Sequence, residues 1–179
     1  MALAHAHDVP VIVDAAAQLP PPENLWRFTR DLGADLAIFS GGKDLAGPQS
    51  TGLIVGRADL IAAIALHGRP YHQLGRPFKV SRKELIGLLA AVERYLTLDH
   101  EARVRACEDT VAAWIAGFSQ IPGVRATRVL PNEAGQPLPR LVLELDPSCC
   151  GITARELRDH LWEGDPRSRS PCTASSGSR

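Results

Sequence analysis

Residues 9–43 read VPVIVDAAAQLPPPENLWRFTRDLGADLAIFSGGK, and this stretch decides the fold. Its first six residues, "VPVIVD" (9–14), form an apolar β-branched run that predicts a strand buried on both faces. "ADLAIFS" (34–40) predicts a second buried strand. Between them, "ENLWRFTRDLG" (23–33) predicts a helix from its apolar spacing and its terminal glycine: Leu25, Phe28, Leu32 and Gly33. Strand, helix and strand in succession form a βαβ unit, whose strands are parallel with a right-handed crossover.

The two strands of this unit end at the same edge of the sheet because they are parallel. Open α/β sheets bind their ligands at that edge. The sequence places Asp14 there at the end of the first strand, and "SGGK" (40–43) at the end of the second. Lys43 therefore lies in a loop of glycines and small side chains, a setting that a merely solvated lysine does not need.

Two interpretations of the Lys43 loop compete: a phosphate-cradling nucleotide loop, and an amine nucleophile beside a bound cofactor. A Walker loop requires G-x-x-x-x-G-K-[ST], but Ala37 replaces its first glycine and Asp44 replaces its hydroxyl residue. No G-x-G-x-x-G follows a strand, so the dinucleotide fingerprint is missing as well. The amine is favoured, because a strand-end acid and a nearby lysine are the two groups that pyridoxal phosphate requires. Gly41 and Gly42 are then expected to let the backbone approach the cofactor.

The remainder of the chain alternates helices, loops and short strands. A long helical stretch begins at Ser81 and breaks near Asp99 before it continues toward Phe118. Its predicted core-facing positions are Leu85, Leu88, Leu89, Val92 and Leu96. The other predicted elements are a strand at 51–56, a helix at 57–68, a loop at 69–80, a hairpin of 124–130 and 140–145, and a helix capped by Thr153.

Composition narrows the classes of protein and partner. The chain has 179 residues, of which 45% are hydrophobic, enough to bury one core and a second small one. Its 20 basic and 20 acidic residues balance, so no charge excess favours nucleic acid or an anionic membrane. The cysteines lack C-x-x-C spacing, which favours a reducing cytoplasm. Apart from the pair His5 and His7, the histidines lack ligand spacing, and no metal site is predicted. No run is long enough to span a membrane, and "MALAHAHD" (1–8) is not a signal peptide.

Three strings resemble, in order, segments of the fold-type I pyridoxal phosphate enzymes of the selenocysteine synthase group: "VIVDAAAQLPP" (11–21), "FSGGKDLAGPQSTGLIVG" (39–56) and "GRPFKVSRKELIGLLAAVERYL" (75–96). That group includes L-seryl-tRNA(Sec) selenium transferase and the glucosaminate-phosphate ammonia-lyases. The resemblance implies an α/β fold, namely the C-terminal part of an aspartate aminotransferase-type large domain followed by a small α+β domain. It also implies pyridoxal 5'-phosphate as the cofactor.

The resemblance assigns roles to residues at the sheet edge. Lys43 is implied as the catalytic Schiff-base lysine and Asp14 as the partner of the pyridine nitrogen. Ser40 is implied as a ligand of the cofactor phosphate or of the loop, and Gln18 as a polar neighbour of the cofactor ring. Plainer alternatives stay open, because Asp14 could cap a turn, Lys43 could be a solvated loop residue and Gln18 could bond loop backbone.

The implied reaction is α,β-elimination or β-replacement on a small-molecule amino substrate, of the selenium transferase or ammonia-lyase type. Arg76 resembles the basic position that holds an anionic substrate group, with Lys79 beside it, although a surface ion pair is the plainer alternative for Arg76. A homo-oligomer is expected, since "VPVIVD" leaves an unpaired apolar edge. A tRNA-binding role has only family association in its favour, and the neutral charge counts against it.

The large domains of such enzymes carry several strands and a phosphate-binding helix before the aspartate strand, and these do not fit before Pro10. We therefore expect a truncated C-terminal portion that binds the cofactor weakly. The alternative is a catalytically inactive remnant, or an oligomerisation or complementation module. The expected divisions are a partial cofactor-binding domain at 1–80, connecting helices at 81–119, a small α+β domain at 120–164 and a disordered tail at 165–179.

Overall fold

The computed structural model describes residues 1–164, and its fold is mixed α/β. The chain forms two compact units. The first comprises Met1–Arg103 together with Pro131–Leu138, and the second comprises Val104–Leu130 and the described residues from Pro139 onward. The tail expected to be disordered lies outside the described residues, and the four-part division of the chain stays a prediction.

A three-stranded sheet forms the centre of the first unit. Its strands, in spatial order, are β1 (Ile12–Asp14), β2 (Leu36–Ser40) and β3 (Gly52–Gly56). β1 and β2 are parallel, with Asp14 opposite Ile38, whereas β3 runs antiparallel to β2. The predicted parallel pairing and the position of β1 at the edge of the sheet are confirmed.

Strand β1 is not buried on both faces, which corrects the prediction from its apolar run. Val13 packs against the core, but Ile12 is 59% exposed. The apolar run predicts a strand correctly, whereas burial depends on neighbours that the run does not specify. Among residues 1–164, β1 has one strand neighbour, and only its Val13 face packs on the core.

Helical segments lie on both sides of β1 and are separated from it by turns and irregular backbone. A short helix α1 (Ala2–His5) precedes the strand, and the crossover to β2 consists of α2 (Asn24–Trp26) and a π-helical turn at Arg27–Asp31. The crossover ends at Gly33 as predicted, where a φ of +76° favours glycine. Leu32 does not face the core, since it is 47% exposed.

Three longer helices follow the sheet: α3 (Ala58–His67), α4 (Arg82–Thr97) and α5 (His100–Phe118). They confirm the predicted helix at 57–68 and the predicted break near Asp99. Helix α4 begins at a capping box, in which the Ser81 hydroxyl accepts from the Glu84 N–H at 3.2 Å and the Glu84 carboxylate accepts from the Ser81 N–H at 2.5 Å. The box fixes where the helix begins.

The core-facing side of α4 agrees with the prediction in part, since Leu88 is buried and Val92 packs against the core cluster. Of the predicted positions, Leu85, Leu89 and Leu96 are more than half exposed. The side that packs inward repeats every three or four residues and consists of Gly87, Leu88, Ala91 and Tyr95. Two of these residues, Gly87 and Ala91, are small. Tyr95 is fully buried in the same cluster as Phe39 of β2.

The second unit contains the hairpin β4 (Val124–Val129) and β5 (Arg140–Leu145), which confirms the two predicted strands. A short helix α6 (Pro147–Cys150) and a helix α7 (Ala154–Glu163) follow. Thr153 caps α7 as predicted. Within residues 1–164, no helix combines the length and the apolar character needed to cross a membrane.

Candidate functional site

Asp14 and Lys43, the predicted acid and amine, lie where two neighbouring parallel strands end, at one edge of the sheet. Asp14 is the last residue of β1 and pairs with Ile38 of β2. Strand β2 continues to Ser40, and Lys43 follows in the next loop. Asp14 and Ser40 also share a face, because paired residues lie on the same face and residues two apart on a strand do so too. The fold therefore places Asp14, Ser40 and the Lys43 loop at the same edge.

Asp14 and Ser40 lie on the face of the sheet opposite the core. The neighbouring positions Val13, Ala37 and Phe39 point the other way and belong to the core cluster or pack against it. At β1 the Asp14 face is open to solvent, as the exposure of Ile12 shows.

Asp14 uses one carboxylate oxygen to fix the backbone that follows it. Its Oδ1 accepts from the Ala16 N–H at 3.0 Å, and the Ala15 N–H continues the pairing with β2 by donating to the Ile38 carbonyl at 2.8 Å. Among the described residues, Oδ2 has no hydrogen-bond donor. A carboxylate can accept at both oxygens, so capping this turn leaves Asp14 able to bind a second donor.

Lys43 is exposed, and no hydrogen bond or ion pair from residues 1–164 engages its ammonium group. The adjacent carboxylate of Asp44 is instead bound by Arg103, with Nη2 and Oδ1 2.8 Å apart. The Ser40 hydroxyl likewise makes no hydrogen bond within the described chain. The amine and the hydroxyl are therefore both available to a ligand.

The loop from Gly41 to Thr51 has a closely fixed backbone. The Gly41 N–H donates to the Thr51 carbonyl at 2.9 Å, and the Gly47 N–H donates to the Gly41 carbonyl at 2.8 Å. Leu45, two residues after Lys43, is fully buried. Lys43 thus lies in an ordered loop whose two ends are joined by hydrogen bonds and whose Leu45 side chain is buried in the core.

Close contacts within the loop explain why Gly41 and Gly42 are glycines. A Cβ on Gly41 would overlap Thr51 Oγ1, and a Cβ on Gly42 would lie 2.6 Å from Gln49 Cα. Both positions therefore require glycine for the loop to close on itself. The predicted approach of this backbone to a cofactor is not needed to explain them.

Helix α4 covers the Lys43 loop, a feature that the sequence reasoning missed. A Cβ on Gly87 would lie 2.8 Å from Pro48 Cγ, and one on Gly47 would lie 3.2 Å from Ala91 Cβ. The Ser50 hydroxyl donates to the Glu84 carboxylate at the start of the helix. The signal was the pair of small residues Gly87 and Ala91 on the side of Leu88, which permit a close approach of the loop.

The loop after Asp14 is held by the connection between β4 and β5. The Gln136 side-chain amide donates to the Ala17 carbonyl at 2.9 Å and also to the Leu19 carbonyl. Gln18 donates to the Ala134 carbonyl at 3.4 Å. This is a hydrogen bond to loop backbone, the alternative to a place beside the cofactor ring. Sequence reasoning predicted only a turn here, and no local signal identifies Gln136.

Arg76 and Lys79 are not brought into contact with this edge. Arg76 opens a 3-10 turn at Arg76–Phe78, and Lys79 follows it with its side chain exposed. Within the described chain, neither side chain bonds to Asp14 or Lys43. Their predicted role in holding a substrate anion stays a prediction.

The SelA family model, described as L-seryl-tRNA selenium transferase, matches residues 2–108. A 5'-C-glycyluridine monooxygenase-decarboxylase from a Streptomyces species is 37% identical over 166 residues, which cover 93% of this chain and 39% of that protein. The D-glucosaminate-6-phosphate ammonia lyase of Salmonella typhimurium is 30% identical over 164 residues, which cover 91% of this chain and 40% of the lyase.

The fold is also similar to a solved structure of a D-glucosaminate-6-phosphate ammonia-lyase. The TM-score is 0.63 and the identity 29%, over 92% of this chain and 41% of the solved one. The chain thus spans about two fifths of the length of these relatives.

Proposed function

This chain belongs to the SelA family of L-seryl-tRNA selenium transferases, and from that membership we propose that it performs pyridoxal phosphate-dependent chemistry on an amino substrate. The observation that carries the proposal is the common edge of β1 and β2, where Asp14 ends one parallel strand and Lys43 follows the other. The proposed reaction class is α,β-elimination or β-replacement.

The polar groups at this edge fit pyridoxal phosphate. They comprise a carboxylate oxygen, a primary amine and a hydroxyl that residues 1–164 leave without hydrogen-bond partners. Lys43 would bind the cofactor aldehyde, Asp14 would face the pyridine nitrogen and Ser40 would donate to the phosphate. Bound pyridoxal phosphate supplies an aldehyde for amines and a ring that accepts electrons from the substrate α carbon.

The residues of the chain would then hold and move protons. Asp14 Oδ2 would keep a proton on the ring nitrogen, because a nearby carboxylate favours the charged form of a base. Lys43 Nζ, as a free amine, would take the substrate α proton. Gln18 would orient the ring, and Arg76 with Lys79 would hold an anionic group of the substrate.

The substrate class follows from what the named relatives have in common. Seryl-tRNA, D-glucosaminate 6-phosphate and 5'-C-glycyluridine each carry an amino group, whereas the named reactions are a transfer, a lyase reaction and a monooxygenase-decarboxylase reaction. We therefore propose an amino substrate for this chain without choosing among these molecules. The shared amine is the group with which the cofactor aldehyde would react.

A second candidate function is an inactive or complementing module that assembles with other chains. It is supported by the outer edge of β1, which no strand in the described part of the chain pairs, and by apolar side chains of the first unit that are more than half exposed, among them Leu74, Phe78, Leu85, Ile86 and Leu89. Homo-oligomerisation is proposed for the same reason. The two candidates differ in whether Lys43 engages the cofactor.

An absorbance titration with pyridoxal phosphate tests the first candidate. We expect the full chain to produce a cofactor band distinct from that of the free aldehyde, with affinity weaker than micromolar. Lys43→Arg keeps the positive charge but lacks the reactive amine, so the band should disappear, and Asp14→Asn should weaken binding. An identical band in wild type and Lys43→Arg would reject the catalytic proposal and favour the assembly module.

A further inference from the structure

An ion pair next to the reactive lysine connects its loop to helix α5. Arg103 donates from Nη2 to Asp44 Oδ1 at 2.8 Å and from Nη1 to Oδ2 at 3.4 Å. The Asp44 side chain is 15% exposed and that of Arg103 38% exposed. The guanidinium therefore faces both oxygens of the carboxylate, an arrangement that fixes orientation as well as distance.

His100 holds the guanidinium from its other side. Its Nε2 lies 2.8 Å from the Tyr95 carbonyl, which can only accept, so Nε2 carries the hydrogen. The lone pair of Nδ1 then faces Arg103 Nη1 at 3.2 Å and accepts from it. Arg103 is thus bound between an imidazole on α5 and a carboxylate on the Lys43 loop.

The fully buried ring of Tyr95 packs beside this ion pair. It contacts the His100 ring edge to face, with centroids 4.5 Å apart. Its hydroxyl makes no hydrogen bond within residues 1–164, and burial, followed by the neighbouring Asp44, raises the pKa of this phenol. The limited exposure of the Asp44 carboxylate beside this ring reduces its contact with water and strengthens its attraction to Arg103.

Without Arg103, the Asp44 carboxylate would be an uncompensated charge directly after the reactive lysine. A nearby carboxylate stabilises the ammonium form of lysine, and the ammonium form is not a nucleophile. We propose that Arg103 is a positioning residue that binds Asp44 against α5 and so keeps the Lys43 amine unpaired and reactive. The inference rests on the proposed role of Lys43 as the amine that engages the cofactor.

Amine labelling without cofactor tests this inference. The lysines of the chain are Lys43, Lys79 and Lys83, so trinitrobenzenesulfonate labelling of the full chain at fixed pH, followed by peptide mass spectrometry, measures Lys43 against two internal references. Arg103→Gln should slow labelling of Lys43 about two- to threefold relative to Lys79 and Lys83, because the uncompensated carboxylate favours the ammonium form. Arg103→Lys should retain most of the wild-type rate.

The same substitution in an Asp44→Asn variant distinguishes an effect of charge from an effect of altered folding. Arg103→Gln should have little effect on Lys43 when Asp44→Asn is also present, because the carboxylate that the arginine neutralises is then gone. Equal slowing in both backgrounds, or no slowing in either, would overturn the proposal. Labelling without cofactor and cofactor binding are separate measurements. If pyridoxal phosphate fails to engage Lys43 while the labelling pattern appears, the proposed function is wrong, but the effect of Arg103 on the amine is supported.

Discussion

Asp35, the residue before β2, joins three parts of the first unit through one carboxylate. Its side chain is 7% exposed and accepts from the Val11 N–H at 2.7 Å, from Arg57 at 2.8 Å and from His5 at 2.8 Å. These hydrogen bonds, with that of Val11 the most important, hold the pKa of Asp35 far below its usual range. The carboxylate thereby fixes α1 and the start of β1 against the sheet.

Replacing Asp35 tests this role through pH. We expect Asp35→Asn to lower the Tm at pH 7 by several degrees, because a neutral amide loses the charge-assisted bonds to Arg57 and His5. A lowered folded pKa stabilises the protein above the ordinary aspartate value of about 3.9, and this stabilisation is lost as the pH falls toward the lowered value. The Tm difference from wild type, followed by circular dichroism, should therefore shrink below about pH 4. A difference that stays constant down to acid pH would contradict this assignment.

Two glycines near the candidate site offer a matched pair for testing loop closure. Gly41→Ala should destabilise the protein by about 1–3 kcal/mol, because the new Cβ would overlap Thr51 Oγ1 and lie 3.0 Å from Leu88 Cδ1. Gly52→Ala should be nearly neutral, since its Cβ would come no closer than 3.4 Å, to the Phe39 carbonyl. Urea unfolding of the two variants measures both effects, and equal midpoints would show that the Lys43 loop is not tightly closed.

The residues of the site differ in how far the sequence could predict them. Asp14 and Lys43 each follow a strand that its own residues identify, so their common edge follows from the βαβ pattern. Gln136 and Arg103 act on residues that are far away in the chain: Asp44 is 59 positions from Arg103, and Leu19 is 117 positions from Gln136. Such contacts depend on packing between elements, which the pattern of a single element does not contain.

At the scale of elements, α4 shows what periodicity leaves undecided. The spacing of its leucines correctly predicts a helix from Ser81, but it contains two adjacent apolar stripes. The loop carrying Lys43 packs on the stripe with Gly87 and Ala91, because small residues admit its backbone. The prediction included residues of both stripes, because helical spacing does not choose between them; Leu88 packs inward, whereas Leu85 and Leu89 are exposed.

Two adjacent leucines of α4 distinguish these stripes. Leu88→Ala removes a buried side chain from the core cluster and should cost about 2–4 kcal/mol of unfolding free energy. Leu89, which is 60% exposed, should tolerate alanine within about 0.5 kcal/mol. Chemical denaturation of both variants checks the assignment. A larger loss at Leu89 than at Leu88 would mean that another face of α4 packs on the sheet.

At the scale of the whole molecule, apolar surface is exposed on several elements. The most exposed large side chains are Leu3, Leu74, Phe78, Ile86 and Leu89. Together with the unpaired edge of β1, this surface favours association with another chain. The family assignment and the mixed α/β fold were both predictable from the quoted strings, whereas the oligomeric state depends on surfaces that those strings do not describe.

We expect light scattering to give a mass above that of the 19.3 kDa monomer for the full chain. The double variant Leu85→Glu and Leu89→Glu should lower that mass, because charges on the exposed stripe of α4 oppose its burial. A monomeric wild-type chain that stays soluble at high concentration would contradict the proposed association.

The central claim, that Lys43 is the amine of a pyridoxal phosphate site, is tested most directly by trapping the cofactor. The full chain is incubated with pyridoxal phosphate, reduced with borohydride, digested and mapped by mass spectrometry. Reduction captures weak binding, and Lys79 and Lys83 report nonspecific reaction in the same sample. We predict that the fixed cofactor is found mainly on Lys43, and that Asp14→Asn lowers this preference. Equal modification of the three lysines would contradict the account.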